Sequence, residues 1–458
     1  MTALLFNAFV MNTGSHIQHG LWRHPDARQA DFNDVDVWIE LAKTLEAGLF
    51  DAAFFADVVG LYGPVGGDYS VNVREGLQIP SNDPSVLLSA LAVHTEHLGL
   101  AFTSSVLQAH PFEFARRTST LDHIAKGRIA WNIVTSTQEN AARNFGFDRL
   151  TEHDERYEWA DEYLDVVYKL WEGSWDDGAL LKDRAGGVFS DASRIHKIHH
   201  VGKRYRVEGP HLPSPSPQRT PLLFQAGSSP AGRAFAARNA EAQFISTPNP
   251  QAAKELISET RDLAERAGRR REDIKFFQGF AFIIGSTEEE ARRKEAELDS
   301  YVSIDGFLAH SNLGVSQDDG RPLPPDTLLK DIKTNGGRSH IDWLRKREPG
   351  REPTVGDLGR LVAKRHPRFV GTPEQIADEL LRWQEAGIDG VNLINWTIPG
   401  SYREFADHLL PVLQARGLAK REYAKGTLRQ KLFGRDTLNE RHPAARYRGA
   451  FSPRLAAE

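Results

Sequence analysis

Polar side chains stand at the ends of several apolar runs that the sequence predicts as strands. Asp57, Thr103, Asn132 and Ser136 lie at or just beyond the ends of three such runs. Hydroxyl and amide groups dominate this kind of position along the chain, and Asp57 is the single acid among them. This composition suits hydrogen bonding to a polar ring system and a phosphate, and it suits hydrolysis poorly.

A turn of small residues follows another apolar run and precedes a predicted helix. It consists of Ala226, Gly227, Ser228 and Ser229. A glycine lets the backbone approach a ligand closely, serine hydroxyls donate hydrogen bonds, and the start of a helix presents free N–H groups and the positive end of its dipole. The turn therefore indicates a phosphate site, although the two serines would equally serve as helix caps.

His153 and Tyr157 stand at the start of a strongly amphipathic predicted helix. Residues four apart share one face of a helix, so both side chains point to the same side. A histidine and a tyrosine at a pocket mouth would suit binding of a phosphate or a ribityl chain. The alternative is that His153 and Asp154 only cap the helix.

Two hydrolytic alternatives fit the sequence less well. A glycosidase needs two carboxylates beside the scissile bond, and Asp57 stands alone. A metal-dependent hydrolase needs clustered ligands. The segment SHIQHGLWRH offers His16, His19 and His24, but no acid at a strand end pairs with them in sequence. We expect no metal site.

Composition narrows the class further. The 458 residues carry 57 basic and 62 acidic side chains, a formal net charge of -5, which gives no reason to expect a nucleic-acid partner. There is no cysteine, so disulfides and thiolate chemistry are excluded. The first ten residues resemble a strand rather than a signal peptide. No apolar run approaches the ~20 residues of a membrane span, and we expect a cytoplasmic protein.

Strands and helices alternate along the chain, which predicts an α/β fold of the (β/α)₈ TIM-barrel type. The predicted strands are 4–9, 51–56, 98–103, 128–134, 221–226, 242–246, 275–285 and 390–395. A doubly wound sheet would require a glycine-rich turn after the first strand, and the sequence has none there.

Residues 1–417 are predicted to form a single barrel domain with two insertions. The first, at about 173–219, is rich in turns and contains a candidate hairpin at 199–207; the second, at about 307–367, is polar and poorly periodic. A basic C-terminal arm follows at 418–458 and is predicted to contact another subunit. A disordered tail is the alternative for the arm.

Long blocks of the chain resemble the bacterial-luciferase-like flavin monooxygenases. Such blocks are FADVVGLYG, STLDHIAKGRIAWNIVTS, EHDERYEWADEYLDVVYKLWEGSW and GPHLPSPSPQRTPLLFQAGSSPAGRAFAA. They are similar to the branch containing nitrilotriacetate monooxygenase component A and dibenzothiophene-sulfone monooxygenase. The blocks HGLWRHP and FADVVGLY resemble above all the long-chain alkane monooxygenases. The resemblance covers nearly the whole chain.

The resemblance implies a barrel of the bacterial luciferase type that uses reduced FMN from a separate NAD(P)H:flavin reductase. Oxygen would add to the flavin 4a carbon, and the resulting (hydro)peroxide would oxygenate a hydrophobic or xenobiotic small molecule. It also implies a homodimer or homotetramer. A deazaflavin-dependent oxidoreductase of the same superfamily and a ligand-binding barrel without turnover are the alternatives.

The resemblance also assigns roles to residues. The implied FMN contacts are Asp57, Thr103, Ser136, His153, Tyr157, Ala226, Gly227, Ser228 and Ser229, and Asn132 joins them from its place at a strand end. His16, Tyr62 and His310 fall at positions of active-site residues in the alkane enzymes. Thr13 and Thr137 depart from that pattern. The alkane enzymes have a cysteine at the first of these positions and a histidine proposed for catalysis at the second. Thr137 thus marks a catalytic position with a changed side chain.

Overall fold

The computed structural model describes residues 3–63, 67–311, 313, 316, 321–332, 344–345, 350–363 and 367–452. Its strands are β1 (Leu5–Met11), β2 (Ala52–Ala56), β3 (Gly99–Ser105), β4 (Ile129–Val134), β5 (Leu180–Asp183), β6 (Val188–Ser190), β7 (His200–Val201), β8 (Arg206–Val207), β9 (Leu222–Gln225), β10 (Ala242–Ile245), β11 (Lys275–Ile284), β12 (Arg368–Gly371) and β13 (Gly390–Ile394).

The α-helices connect these strands. They are α1 (Val35–Ala47), α2 (Ser70–Arg74), α3 (Pro84–Val93), α4 (Pro111–Ile124), α5 (Glu139–Asn144), α6 (His153–Tyr168), α7 (Pro230–Asn239), α8 (Pro250–Arg266), α9 (Glu288–Tyr301), α10 (Ile304–Ser311), α11 (Val355–Ala363), α12 (Pro373–Glu385), α13 (Gly400–Glu404), α14 (Leu410–Ala415) and α15 (Leu428–Phe433). Helix α6 continues into a π-helical turn at Lys169–Gly173, and a second π turn at Phe405–Leu409 links α13 to α14.

Eight parallel strands close into a barrel in the order β1-β2-β3-β4-β9-β10-β11-β13. Strand β13 pairs with β1 and β10 pairs with β11, so the ring is complete. These are the eight strands predicted from the sequence, and the predicted TIM barrel is confirmed. All eight run in one direction, so their carboxyl ends share one rim, where enzymes of this architecture carry their chemistry.

Side chains alternate between the inside of the barrel and the layer under the helices. The rings of Phe9, Phe54, Phe224, Phe244 and Phe277 pack on one another inside the barrel. Apolar residues in between, such as Ala8 and Phe55, pack outward against the helices. The interior is therefore filled with aromatic side chains, and the polar groups of the site lie toward the rim.

Local signals explain why several helices begin where they do. Asp34 accepts a hydrogen bond from Asp36 N at the start of α1, and Asp83 accepts one from Ser85 N at the start of α3. Aspartate is a favoured N-cap because its oxygen satisfies an N–H that has no partner within the helix.

The two predicted insertions contain more regular structure than the sequence indicated. The first holds the expected hairpin, β7 with β8, and an additional one, β5 with β6. The second carries helices α10 and α11, which pack on each other around Phe307, Leu308 and Leu358. Their missing periodicity has a simple cause: each helix is short, 8 and 9 residues, so few apolar positions repeat.

The C-terminal segment packs against the end of the barrel opposite the rim. Arg429 of α15 is fully buried, and its guanidinium bonds Glu241, just before β10, at 2.7 Å. The same guanidinium donates to the carbonyl oxygens of Thr220 and Pro221. The segment thus joins strands at their starting ends.

Candidate active site

The turn after β9 is held open by neighbouring side chains. Ser229 caps α7 by accepting a hydrogen bond from Gly232 N at 3.1 Å, and Arg233 donates to Ser228 O at 2.7 Å. Gln243 donates to Gly227 O at 3.0 Å. Ser228 is exposed and Ser229 is half-buried, so both hydroxyls lie at the surface of the crevice rather than within the core.

Helix α6 meets this turn at its own first residues. His153 Nε2 lies 3.2 Å from Ser229 Oγ, and His153 Nδ1 lies 2.6 Å from Asp154 Oδ1. The His153 ring packs edge-on against Tyr157, with ring centroids 5.3 Å apart. The predicted shared face with Tyr157 therefore occurs. The alternative role in capping does not, because the N-cap of α6 is Glu152 and, among the described residues, no side chain caps the helix; the side chains of His153 and Asp154 bond each other instead.

Gly227 stands where a side chain would not fit. A β-carbon built on it would lie 2.7 Å from the hydroxyl of Tyr157, closer than real β-carbons approach. Burial raises the pKa of Tyr157, and hydrogen bonds with Ser229 and Gln225 only partly offset this. The Tyr157 hydroxyl is therefore uncharged at neutral pH and can donate a hydrogen bond. It lies beside Gly227, where the backbone could come as close to a ligand as it does in phosphate sites.

Thr103 and Asn132 face each other inside the barrel. Asn132 Nδ2 donates to Thr103 Oγ1 at 2.9 Å, and both side chains are at most 5 % exposed. Asn132 Oδ1 is buried without a hydrogen-bond partner in the structure. A buried acceptor without a partner is costly, so this oxygen fits a ligand N–H or O–H.

Ser136 is held in an unusual conformation. Its φ of 59° is left-handed, which is uncommon outside glycine and asparagine. Arg156 of α6 donates to Ser136 O, and Ser136 Oγ donates to Ser105 Oγ at 2.8 Å. Backbone strain persists where surrounding contacts over-determine it, as they do at functional sites.

Asp57 has the most perturbed carboxyl group of the rim. Burial and the neighbouring negative charge of Asp83 raise its pKa from 3.8 to about 7, while Gln108 and the Val58 backbone N–H partly oppose the rise. Gln108 Nε2 donates to Asp57 Oδ2 at 3.4 Å. A carboxyl group titrating near neutral pH in a cleft is characteristic of functional sites.

A small cavity of about 130 Å³ connects the two predicted groups of residues. Asp57 and Ser136, assigned to cofactor binding, share its wall with Tyr62 and Thr137, assigned to catalysis. The other lining residues are Val58, Val59, Ser105, Gln108, Val134 and Gln138. Thr137 is exposed and its backbone N–H donates to Gln138 Oε1.

A larger, more open cavity of about 670 Å³ adjoins the small one and shares Asp57, Val58, Val59 and Gln108 with it. The segment 78–83 and the side chains of Asn140 and Asn144 complete its wall. Residues of the loop after β2 therefore line both cavities.

The remaining predicted catalytic residues come from the loop after β1 and from α10. The ring of His310 packs edge-on against Tyr62 at 4.6 Å between centroids. His16 packs on Phe9 at 4.7 Å, and its carbonyl oxygen accepts a bond from Gln78. Tyr62 and His310 are therefore brought together, and His16 lies above the aromatic interior of the barrel.

Several residues of this region were not singled out for these positions by sequence reasoning. They are Ser15, Gln108, Arg156, Gln225 and Gln243, together with His19, which had been considered only as a metal ligand. Within the described part of the chain, the carboxamide oxygens of Gln225 and Gln243 are buried and accept no hydrogen bond, while their nitrogens lie against Gly227. A glutamine at the end of a strand was a usable signal; Arg156, inside a helix, gave none.

Comparison with known proteins decides the family. Residues 11–390 match the family described as luciferase-like monooxygenase. The chain belongs to the luciferase-like monooxygenases. The family match covers more than half of the chain, and it confirms the relationship expected from the sequence blocks as well as the enzyme class, a flavin-dependent monooxygenase.

Individual relatives are similar over almost their whole length. A long-chain alkane monooxygenase from Geobacillus thermodenitrificans (strain NG80-2) is 44% identical over 97% of this chain and 98% of its own. A dimethyl-sulfide monooxygenase from Hyphomicrobium sulfonivorans is 44% identical over 98% and 94%. Nitrilotriacetate monooxygenase component A from Aminobacter aminovorans is 35% identical over 91% and 94%.

Solved structures give the same result for the fold of this luciferase-like monooxygenase. A crystal structure of long-chain alkane monooxygenase superposes with a TM-score of 0.88 at 43% identity, covering 98% of this chain and 100% of that one. A riboflavin lyase, crystallised with modified FMN and riboflavin, superposes with a TM-score of 0.88 at 35% identity, with the same coverage. Among the helices that the structure describes, none combines the length and apolar character that crossing a bilayer requires.

Proposed function

We propose that this luciferase-like monooxygenase binds reduced FMN at the barrel rim and uses it with O2 to oxygenate a small hydrophobic or xenobiotic organic molecule. The observation that carries the proposal is the crevice at Gly227, which is bounded by the first turns of α6 and α7. Two helix starts, two serines, a histidine and a neutral tyrosine there suit the phosphate end of a nucleotide.

The ring system of FMN would then lie toward the barrel interior. Asn132 Oδ1 supplies an acceptor without a partner, and Thr103 fixes the orientation of that amide. Asp57 supplies a carboxyl group with a pKa of about 7, so near neutral pH it can either donate or accept a hydrogen bond. When bound, the reduced flavin supplies the two electrons that activate oxygen.

The chain's own share of the reaction would be binding, orientation and exclusion of water. The small cavity lined by Tyr62 and Thr137 directly adjoins Asp57 and Ser136, so a substrate held there would be next to the flavin. His16 and His310 would border the same space from the loop after β1 and from α10. Val58, Val59 and Val134 give this mostly polar lining an apolar part, against which a hydrocarbon portion of the substrate would pack.

The domain plan and the partners belong to the same proposal. Residues 1–417 would act as one catalytic barrel, and 418–458 as an arm that also serves a homodimer or homotetramer. A separate NAD(P)H:flavin reductase would supply the reduced FMN. Support comes from the relative named component A, a name that implies at least one further component.

Anaerobic titration with photoreduced FMN tests the binding step. We expect a dissociation constant in the micromolar range and weaker binding of a reduced deazaflavin. Equal or tighter binding of the deazaflavin would overturn the choice of FMN.

Turnover is tested by adding a flavin reductase, NADH and ¹⁸O₂ to the protein with dimethyl sulfide, a long-chain alkane and dibenzothiophene sulfone in parallel. Mass spectrometry should find one ¹⁸O atom in an oxygenated or cleaved product of at least one of them, and none with FMN omitted. Incorporation of ¹⁸O that does not depend on FMN would contradict the proposal.

A further inference from the structure

A chain of buried hydrogen bonds lies behind the Tyr62–His310 pair. Ser15 Oγ is 3.0 Å from His19 Nδ1, and His19 Nε2 is 2.8 Å from His310 Nδ1. His19 is 0% exposed and Ser15 is 3% exposed. His19, in the loop after β1, thus contacts a histidine 291 positions later in the chain.

The surroundings leave His19 no freedom to turn away. The Phe307 ring packs edge-on against the His19 ring, with 4.8 Å between centroids, and a β-carbon built on Gly306 would lie 2.9 Å from the β-carbon of His19. Its carbonyl oxygen accepts a hydrogen bond from Ser303 N at 2.9 Å. Helix α10 is therefore seated on His19, which fixes the position of His310 on the same helix.

The N-to-N contact has a definite chemical meaning. Two neutral imidazoles at 2.8 Å share a single proton: either His19 Nε2–H donates to His310 Nδ1, or the reverse. In the first case His310 carries its own proton on Nε2, and in the second Nε2 is an acceptor. The tautomer of His19, which its bond with Ser15 helps to set, therefore decides what His310 offers at its other nitrogen.

We propose that His19 is a positioning residue of the active site, which orients His310 beside Tyr62 and determines which nitrogen of His310 carries the proton. This inference rests on the proposed function, in which His310 borders the substrate space. When His310 takes up a proton, its Nδ1–H donates to His19 Nε2 as a charge-assisted bond, which favours the charged ring.

Two acidic groups of the described part of the packed elements are paired with arginines. Asp305, on the same helix as His310, bonds Arg74 of α2 at 2.8 Å. Asp357 of α11 bonds Arg351 at 2.9 Å and Arg360 at 2.7 Å. Among the residues that the structure describes, His19 and Tyr62 contact the ring of His310. These pairs are retained in the variants below, so they contribute equally to each measurement.

The experiment measures the reactivity of His310 in the protein without flavin or substrate. Diethyl pyrocarbonate modifies unprotonated imidazole, and peptide mass spectrometry gives the rate at His310 as a function of pH. Because His19 stabilises the protonated ring, the midpoint should fall by about 0.5–1 pH unit in His19→Leu. His19→Gln, whose amide can still bond Nδ1, should restore most of it. His196→Leu, which removes another buried hydrogen-bonded histidine, should leave the midpoint unchanged.

The same variants are then assayed for turnover with whichever of the three test substrates is oxygenated. His19→Leu should lower kcat about tenfold or more with little change in KM, and His19→Gln should recover at least half of the loss. An unchanged midpoint and kcat in folded His19→Leu would overturn the inference.

If His19→Leu does not fold, Ser15→Ala provides the test, since it keeps the His19–His310 bond and removes only the outer link. It should shift the midpoint in the same direction by a smaller amount, and no shift would overturn the inference. If wild-type protein oxygenates none of the substrates but the His310 midpoint responds to His19, the proposed function fails and the positioning role stands.

Discussion

Ser229 Oγ lies 3.2 Å from His153 Nε2, so the first turns of α7 and α6 are joined by one side-chain contact. Each helix start carries partial positive charge, and bringing two together makes a stronger anion site than either alone. Half of the His153 side chain is exposed. The contact therefore lies at the mouth of the crevice, with Tyr157 one turn deeper.

Substitution of the two α6 residues should weaken flavin binding without unfolding the protein. We expect His153→Ala and Tyr157→Phe each to raise the dissociation constant of reduced FMN about 10- to 150-fold, the equivalent of a hydrogen bond to a charged group. Glu158→Ala, an exposed position on the same helix, is the matched control. Fluorescence titration measures the affinity and thermal unfolding the stability. Equal affinity in both variants and wild type would contradict the assignment of this crevice.

A side chain at position 227 should close the crevice. Gly227→Ala would place its β-carbon against Gln225 Nε2 and 2.7 Å from the Tyr157 hydroxyl, so the turn or these two side chains must move. We expect reduced FMN to bind at least about tenfold more weakly, a loss of roughly 1.4 kcal/mol. Gly14→Ala is the control, because its β-carbon would meet only the Gln29 carbonyl oxygen, at 3.9 Å. Wild-type affinity in Gly227→Ala would exclude close backbone contact with the cofactor.

The pKa of Asp57 gives its substitution a distinct pH signature. Its folded pKa of about 7 is above the ordinary 3.8, so the folded protein retains a proton that the unfolded chain releases. This contribution to stability is complete below about pH 4 and is lost as the pH rises through 7. At pH 8, Asp57→Asn should therefore have a higher free energy of unfolding than wild type, by up to about 4 kcal/mol, and the difference should close toward pH 4.

Urea unfolding at several pH values checks this expectation, with the exposed Asp26→Asn as control. A difference that grows toward low pH would contradict it, because the sign would then be that of an ionised, stabilised carboxylate.

What could be predicted from the sequence was local or periodic. Eight apolar runs gave eight barrel strands because parallel strands buried on both faces have nearly continuous apolar sequences. Polar residues at strand ends follow directly from the barrel's geometry. The crevice residues therefore appeared in the sequence with a physical reason attached.

The remaining features depend on distant contacts. His19 meets His310 only after α10 folds back over the loop after β1, and no local pattern encodes that. Arg156 has the sequence position of a helix residue, yet it holds the strained Ser136. The arm was predicted to contact another subunit; in the structure it buries Arg429 in its own barrel, while any role in assembly stays a prediction.

Arg429 provides the sharpest stability test. Arg429→Met would leave Glu241 buried and unpaired, which should lower the free energy of unfolding by about 3–5 kcal/mol. Arg382→Met removes a surface ion pair with Glu379 in which the arginine side chain is 69% exposed, and it should cost less than about 1 kcal/mol. Adding Glu241→Leu to Arg429→Met should recover much of the loss, because the charge that lacked a partner is gone.

Reduced FMN should bind all folded variants with unchanged affinity, since this pair lies at the barrel end opposite the rim. A cost for Arg429→Met as small as that of Arg382→Met would show that the arm does not anchor the barrel.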